Sequence, residues 1–124
     1  MRRGADDLQW QQLVKNINKR DKKCRLLKIL SLREFLLFSK NAKGLLSICD
    51  PAHIFGAGPY PHMIYLEKNV VLLNRFSHEC LDSCKNPITG EAISITERNK
   101  WWEKIVGTET YQYLLDIAFR RTEE

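Results

Sequence analysis

Three side chains in the middle of the chain carry the chemistry needed to hydrolyse phosphate esters. His53 follows the short sequence Asp50-Pro-Ala, and His78 and Asp82 come later, four residues apart. On a helix, that spacing places His78 and Asp82 on the same face. An imidazole nitrogen and a carboxylate oxygen presented together can bind a divalent metal ion, while a second histidine can deprotonate a water. The residue types therefore suit metal-assisted hydrolysis.

Taken singly, each of these residues has an ordinary structural explanation. A His/Asp pair four residues apart on a helix usually forms only a surface ion pair or hydrogen bond. A lone histidine such as His53 is more often a satisfied structural residue, and Asn69, which lies between the two histidines, is a common turn residue. The chemical interpretation therefore depends on the fold bringing these side chains together.

Sequence patterns predict five helical segments around one short, irregular hairpin. The helices are expected over residues 7–19, from the Ser31–Glu34 capping-box pattern to about residue 39, from Ser77 past Asp82, from Thr96 to Gly107, and over residues 109–121. The strands are expected over residues 45–49 and 69–73, separated by the Gly/Pro loop at 56–62, and residues 24–30 are ambiguous between strand and helix. The predicted fold class is therefore α+β and mostly helical.

The order of these residues along the chain resembles that of the HNH endonucleases, the ββα-metal or His-Me finger nucleases common in phages and bacteria. The resemblance covers about residues 10–118. The matching residues are Trp10, Arg20-Asp21, Cys24, Ala52-His53-Ile54-Phe55-Gly56, Asn69 nine positions before His78, and then Trp102, Gly107, Tyr111 and Leu114.

The resemblance implies one nuclease-like domain spanning residues 1–124. Its ββα-metal core (residues 45–85) would lie between a basic helical part (residues 7–48) and C-terminal helices (residues 96–121).

The resemblance also implies a role for each site residue. His53 would be the general base, and Asn69 would brace the loop between the strands and keep His53 oriented. His78 would be a metal ligand, and Asp82 stands where relatives carry a second ligand histidine. Relatives often have a metal-binding residue directly before the base, where this chain has alanine, and Asp50 is the candidate substitute. Such ligands suit one divalent cation, Mg²⁺ or Mn²⁺.

The structural zinc site of many relatives is expected to be missing here. Of the four positions where those relatives carry cysteine, only Cys24 remains, and the other three hold Leu27, Asn74 and Ser77. We therefore expect no structural Zn²⁺, with local apolar packing in its place. The remaining cysteines have spacings that match no standard zinc set and are expected to be reduced thiols.

The positive charge of the chain is concentrated in its first half. The net charge is +5, but residues 1–50 carry 12 Lys and Arg against 5 Asp and Glu, whereas residues 51–124 carry 8 against 10. A basic cluster can bind a phosphate backbone. The candidate DNA-binding residues are Lys19, Arg20, Lys22, Lys23, Arg25 and Arg75. Arg75 or Lys68 is the candidate contact to the scissile phosphate.

These features favour a DNA endonuclease acting on duplex or branched DNA in phage or bacterial recombination or DNA processing. The alternatives are a nucleic-acid-binding module that keeps the HNH fold without catalysis and, third, a purely structural helical protein. A homodimer is possible. No apolar run approaches the ~20 residues needed to cross a bilayer, and the first residues do not resemble a secretory signal. We therefore expect a location in the cytoplasm of a bacterium or phage-infected cell, with no membrane partner.

Overall fold

The computed structural model describes residues 7–42, 48–56 and 58–123, with side-chain environments through residue 119. The fold is α+β and mostly helical, as the sequence predicts. In chain order the elements are α1 (Leu8–Asp21), α2 (Leu32–Ala42), β1 (Cys49–His53), β2 (Val70–Asn74), α3 (Arg75–Asp82), α4 (Ile95–Val106) and α5 (Thr108–Glu123), with short 3₁₀ turns at Leu26–Lys28, Pro61–Met63 and Glu67–Asn69.

The two strands form an antiparallel pair, and α3 begins directly after the second strand. The register runs from Cys49 opposite Asn74 to His53 opposite Val70. The predicted first strand, residues 45–49, is therefore wrong by four residues, and positions 45–47 lie outside the described residues. Intrinsic propensity disfavours a strand that contains aspartate and proline. Cys49–His53 nevertheless forms a strand, because it pairs with the buried strand β2. The strand–strand–helix order expected for residues 45–85 is present.

Strand β2 is buried on both faces and separates two apolar clusters. Val70 and Leu72 pack with Leu13 and Ile17 of α1. The alternate residues of β2 pack with the C-terminal helices, in a cluster that includes Val71, Leu73, Trp102, Ile105 and Leu114. Burial of both faces explains why residues 70–73 form a continuous apolar run rather than an alternating one.

Two helices begin at residues other than those predicted. Asn74, not Ser77, is the N-cap of α3, because its side-chain oxygen accepts a hydrogen bond from the Ser77 backbone N–H. Helix α4 begins after Ser94 rather than at Thr96, and Ser94 forms a capping box with Glu97. The capping box predicted at residues 31–34 is present, and the ambiguous segment 24–30 contains a 3₁₀ turn.

A buried carboxylate ties α1 to the hairpin. Asp21 is 2% exposed and accepts hydrogen bonds from Arg20 (2.7 and 2.9 Å), from Arg25 (3.2 Å) and from the Leu72 backbone N–H (3.0 Å). Arg20 also donates to the Val70 carbonyl at 2.6 Å. Burial alone would raise the pKa of Asp21, but these hydrogen bonds and the two guanidinium charges outweigh it and hold the pKa below 3.8. Arg20 and Arg25 are therefore both paired with Asp21 while staying partly exposed, and their assignment as DNA-binding residues stays a prediction.

No helix in the described part of the chain is both long enough and apolar enough to cross a membrane.

Candidate functional site

An open cleft of about 370 Å³ lies between the hairpin, α1, α3 and α4. It brings together three of the five predicted catalytic and metal-binding residues, His53, His78 and Asp82. The full lining is Trp10, Pro51, His53, Gly56, His78, Asp82 and Arg98. Asn69 and Asp50 do not line the cleft: Asp50 contacts His78, which does, and Asn69 lies beneath the loop that follows His53.

His53 stands at the end of β1, where two contacts fix its ring. Its Nε2 atom lies 2.9 Å from the Ile64 carbonyl oxygen. A carbonyl can only accept, so Nε2 carries a proton, and in the neutral ring the lone pair is on Nδ1. The indole of Trp10 stacks on the imidazole with ring centroids 5.3 Å apart and an interplanar angle of 21°. The backbone contact thus favours the neutral tautomer whose basic nitrogen is Nδ1.

Asn69 is fully buried beneath the loop that follows His53. Its side-chain oxygen accepts from the Phe55 N–H at 2.8 Å, and its amide donates to the Phe55 carbonyl at 3.0 Å and the Met63 carbonyl at 3.1 Å. Its backbone carbonyl accepts from the Ile54 N–H. These bonds fix both ends of the loop between His53 and the carbonyl that orients it. The position of Asn69 is therefore the bracing position that the resemblance implies.

The His78 ring lies between two carboxylates. Its Nε2 atom is 3.3 Å from Asp82 Oδ2, and its Nδ1 atom is 3.4 Å from Asp50 Oδ2. The two nitrogens of an imidazole face opposite sides of the ring, so one metal ion cannot be bound by His78 and by both carboxylates in this arrangement. A carboxylate behind a metal-binding histidine orients the ring and sets its tautomer. Asp50 therefore contacts the ring nitrogen opposite the one near Asp82, and its assignment as a direct ligand stays a prediction.

Asp50 is held in place by Arg75. The guanidinium makes two hydrogen bonds to the carboxylate, at 3.1 and 2.9 Å. These bonds lower the pKa of Asp50 despite its partial burial, and the contact with His78 lowers it further. Arg75 is therefore engaged by Asp50, and its assignments to DNA binding and to the scissile phosphate stay predictions.

The donors at the cleft fit a cation that keeps part of its hydration shell. Within residues 7–42, 48–56 and 58–123, no three His, Cys, Asp or Glu side chains are grouped to hold one ion. His78 Nε2 and Asp82 nevertheless provide one nitrogen and one carboxylate oxygen at the open side of the ring. Mg²⁺ and Mn²⁺ sites of this kind use one or two protein ligands and complete the shell with water and substrate phosphate.

Three of the four positions that the resemblance compares with zinc cysteines, Cys24, Asn74 and Ser77, share one buried hydrogen-bond network. The backbone N–H and side-chain amide of Asn74 each lie 3.2 Å from Cys24 Sγ. The same amide donates to Ser77 Oγ at 3.0 Å, and Ser77 Oγ donates to the Pro87 carbonyl at 2.8 Å. Buried hydrogen bonds therefore hold these side chains together at a point where the sequence predicts apolar packing. All four cysteines are free thiols, and burial raises the pKa of Cys49 and Cys80.

The predicted lysine cluster lies away from the cleft. Lys19, Lys22 and Lys23 are exposed around the C-terminal end of α1, whereas Trp10 brings the N-terminal end of that helix to the cleft. At about 1.5 Å per helical residue, the lysines begin roughly 14 Å along the axis from Trp10. They can reach only phosphates that flank the cleft.

Sequence reasoning missed two residues of the cleft. Trp10 was named only as a residue that matches the resemblance, and its place on a helix gives no sign of the stack on His53. Arg98 belongs to α4, outside the expected core of residues 45–85. The Ser94–Glu97 capping box is the signal that places Arg98 in the first turn of that helix, but only the packing of α4 brings it to the cleft.

Comparisons with protein-family models, with curated proteins and with solved structures find no match to this chain.

Proposed function

We propose that this protein is a metal-dependent DNA endonuclease of the HNH type. The observation that carries the proposal is the convergence of His53, His78 and Asp82 on one cleft of a strand–strand–helix unit. The meeting of Cys24, Asn74 and Ser77 at one point supports it independently, because the resemblance requires those positions to be neighbours.

In the proposed reaction, His53 Nδ1 takes a proton from a water as the water oxygen attacks the phosphorus of a DNA phosphodiester. The new P–O bond replaces the bond to one sugar oxygen, which leaves as an alcohol after taking up a proton. The Ile64 carbonyl accepts the hydrogen bond from Nε2 and stabilises the charge that forms on the ring. Asn69 holds the loop that carries this carbonyl.

His78 and Asp82 would hold the divalent cation, with Asp50 orienting the His78 ring. When bound, that cation supplies Lewis-acid stabilisation of the negative charge on the phosphate oxygens. A neutral histidine base beside a cation-binding pair is the minimum that this chemistry needs.

The alternative is a nucleic-acid-binding module without catalysis. It is favoured by the absence of a three-residue metal cluster in the described chain and by the engagement of Asp50 with Arg75. It predicts DNA binding that weakens steeply with salt and does not require a metal ion.

Incubation with supercoiled plasmid separates the two functions. The assay uses Mg²⁺, Mn²⁺, Co²⁺ or Ni²⁺ in turn, with EDTA as the control, and is repeated with branched and single-stranded DNA. We expect nicking that requires one of the metal ions. Retardation of DNA without cleavage of any substrate would favour the binding module and contradict the nuclease.

A further inference from the structure

Arg98 is a partly exposed arginine in the cleft that forms no ion pair with a described residue. Its Nε atom is buried and has no hydrogen-bond partner among the described residues. No carboxylate in the described part of the chain lies within 4 Å of its guanidinium. A buried charged N–H without an acceptor is unfavourable, and such groups commonly mark positions that a ligand, ion or water completes.

Three other arginines of the described chain are satisfied by neighbouring carboxylates. Arg20 and Arg25 pair with Asp21, and Arg75 pairs with Asp50. Arg98 instead lines the cleft together with His53, His78 and Asp82. The fold thus brings a guanidinium that has no ion-pair partner among the described residues to the same cleft as the proposed base.

We propose that Arg98 binds the phosphate group on which the cleft acts. A planar guanidinium with several N–H donors matches the oxygens of a phosphodiester better than any other side chain. Helix α4 would thereby add a phosphate-binding residue from outside the strand–strand–helix unit. The proposal that Arg98 binds phosphate rests on the position of Arg98 in the cleft and on its unpartnered Nε atom. The statement that this phosphate is the scissile one rests on the proposed nuclease function.

The buried Nε–H supplies the first test, by NMR. Inorganic phosphate is titrated into ¹⁵N-labelled full-length protein, with sodium chloride at matched ionic strength as the control. The Arg98→Lys variant, which lacks the Nε–H, assigns the Arg98 cross-peak. We expect that cross-peak to shift saturably with phosphate and not with chloride, while the Nε–H of Arg33, an exposed residue of α2, does not respond.

The second test measures DNA cleavage. Arg98→Gln should lower kcat/KM by about 10- to 100-fold, the range for hydrogen bonds to a charged group, and Arg98→Lys should recover part of the loss. Arg33→Gln removes the same charge outside the cleft and should change kcat/KM by no more than about twofold. If Arg98→Gln fails to fold, the Arg98→Lys variant and the wild-type titration carry the test.

Each outcome separates the phosphate site from the nuclease. A saturable shift of Arg98 in a protein that cleaves no DNA would support the phosphate site and count against the nuclease. Cleavage by the wild type with no phosphate response at Arg98, or with an equal response at Arg33, would overturn the phosphate site and leave the nuclease standing.

Discussion

At the scale of single residues, a series of contacts that begins and ends at the His53 ring helps to orient that ring. Ile64 accepts the hydrogen bond from Nε2, and the next residue, Tyr65, donates its hydroxyl to Asp7 at 2.5 Å. Asp7 caps α1 by accepting from the Trp10 backbone N–H at 3.0 Å, and Trp10 stacks on His53. The start of α1 and the loop after β1 therefore fix the imidazole together.

This arrangement makes Trp10 a positioning residue. We expect Trp10→Leu to lower the kcat for DNA cleavage by about tenfold or more, because loss of the stack frees the ring from its reactive geometry. Trp10→Phe keeps an aromatic face and should retain most of the activity. Steady-state kinetics test this, with circular dichroism as the folding control. Equal activity of the leucine and phenylalanine variants would show that stacking does not matter.

Residue types and spacing were enough to predict some of this site but not its connections. His53, His78 and Asp82 were identifiable because a base and a ligand pair are recognisable from chemistry and helical spacing. The contact between Asp50 and His78 Nδ1 was not identifiable. Whether a carboxylate faces Nδ1 or Nε2 of His78 depends on the packing of α3 against β1. Arg98 lies in another helix, so no local pattern could connect it to His53.

At the scale of elements, the buried ion pairs of Asp21 join α1 to the hairpin. Asp21→Asn should lower the free energy of unfolding by about 3 kcal/mol, because it breaks a buried ion pair. This value is at the lower end of the usual range, since Arg20 and Arg25 remain partly exposed. Urea unfolding at pH 7 measures this loss, and Glu91→Gln, which alters an exposed carboxylate, should leave stability nearly unchanged.

The same carboxylate predicts a pH dependence. The pKa of Asp21 lies lower in the folded state than the usual 3.8, so its ionised form stabilises the fold. That stabilisation is complete well above pH 3.8 and is lost as the pH falls from there through the lower pKa of the folded state. The stability difference between wild type and Asp21→Asn should therefore narrow below about pH 4. A difference independent of pH would show that the carboxylate charge does not act in this way.

The hydrogen-bond network of Cys24, Asn74 and Ser77, at the junction of β2 and α3, allows a test of the resemblance to HNH endonucleases. If positions 24, 27, 74 and 77 correspond to the zinc positions of HNH relatives, the triple variant Leu27→Cys/Asn74→Cys/Ser77→Cys should bind one Zn²⁺ per chain and gain stability from it. Spectroscopy of the Co²⁺-substituted protein should report a tetrahedral thiolate site. The Asn74→Cys/Ser77→Cys double variant is the matched control and should bind more weakly. Absence of one-to-one binding in the triple variant would contradict the correspondence.

The elements themselves were largely predictable, and the errors lie at their ends. Helical spacing and caps located all five helices. The starts of α3 and α4 were missed because Asn74 and Ser94 compete with nearby residues that are equally good caps by type. Strand β1 was misplaced because Asp50 and Pro51 have poor strand propensity, and only pairing with β2 overrides it.

At the scale of the whole molecule, some of the basic residues of the sequence are paired with carboxylates in the folded protein. Arg20, Arg25 and Arg75 neutralise Asp21 and Asp50, so lysines supply much of the remaining basic surface around α1. Neutralising Lys19, Lys22 and Lys23 should therefore weaken DNA binding similarly across sequences. The slope of log K against log salt should fall in magnitude by about 2 to 3, the value for three lost phosphate contacts.

Fluorescence anisotropy with a short labelled duplex measures this slope. Lys40→Gln/Lys85→Gln, which removes exposed charges elsewhere on the described surface, is the control and should leave the slope nearly unchanged. An unchanged slope in the triple lysine variant would place the DNA contact on another face of the protein.

The most direct test of the central claim is plasmid nicking by wild type and His53→Ala in Mn²⁺, with both proteins checked for folding and DNA retardation. The account predicts that wild type converts supercoiled plasmid to nicked circles only with the metal ion. His53→Ala should cleave about 10²- to 10⁴-fold more slowly, the usual contribution of a general base, and still retard DNA like wild type. Nicking by His53→Ala at the wild-type rate would contradict the assignment of the cleft as the active site.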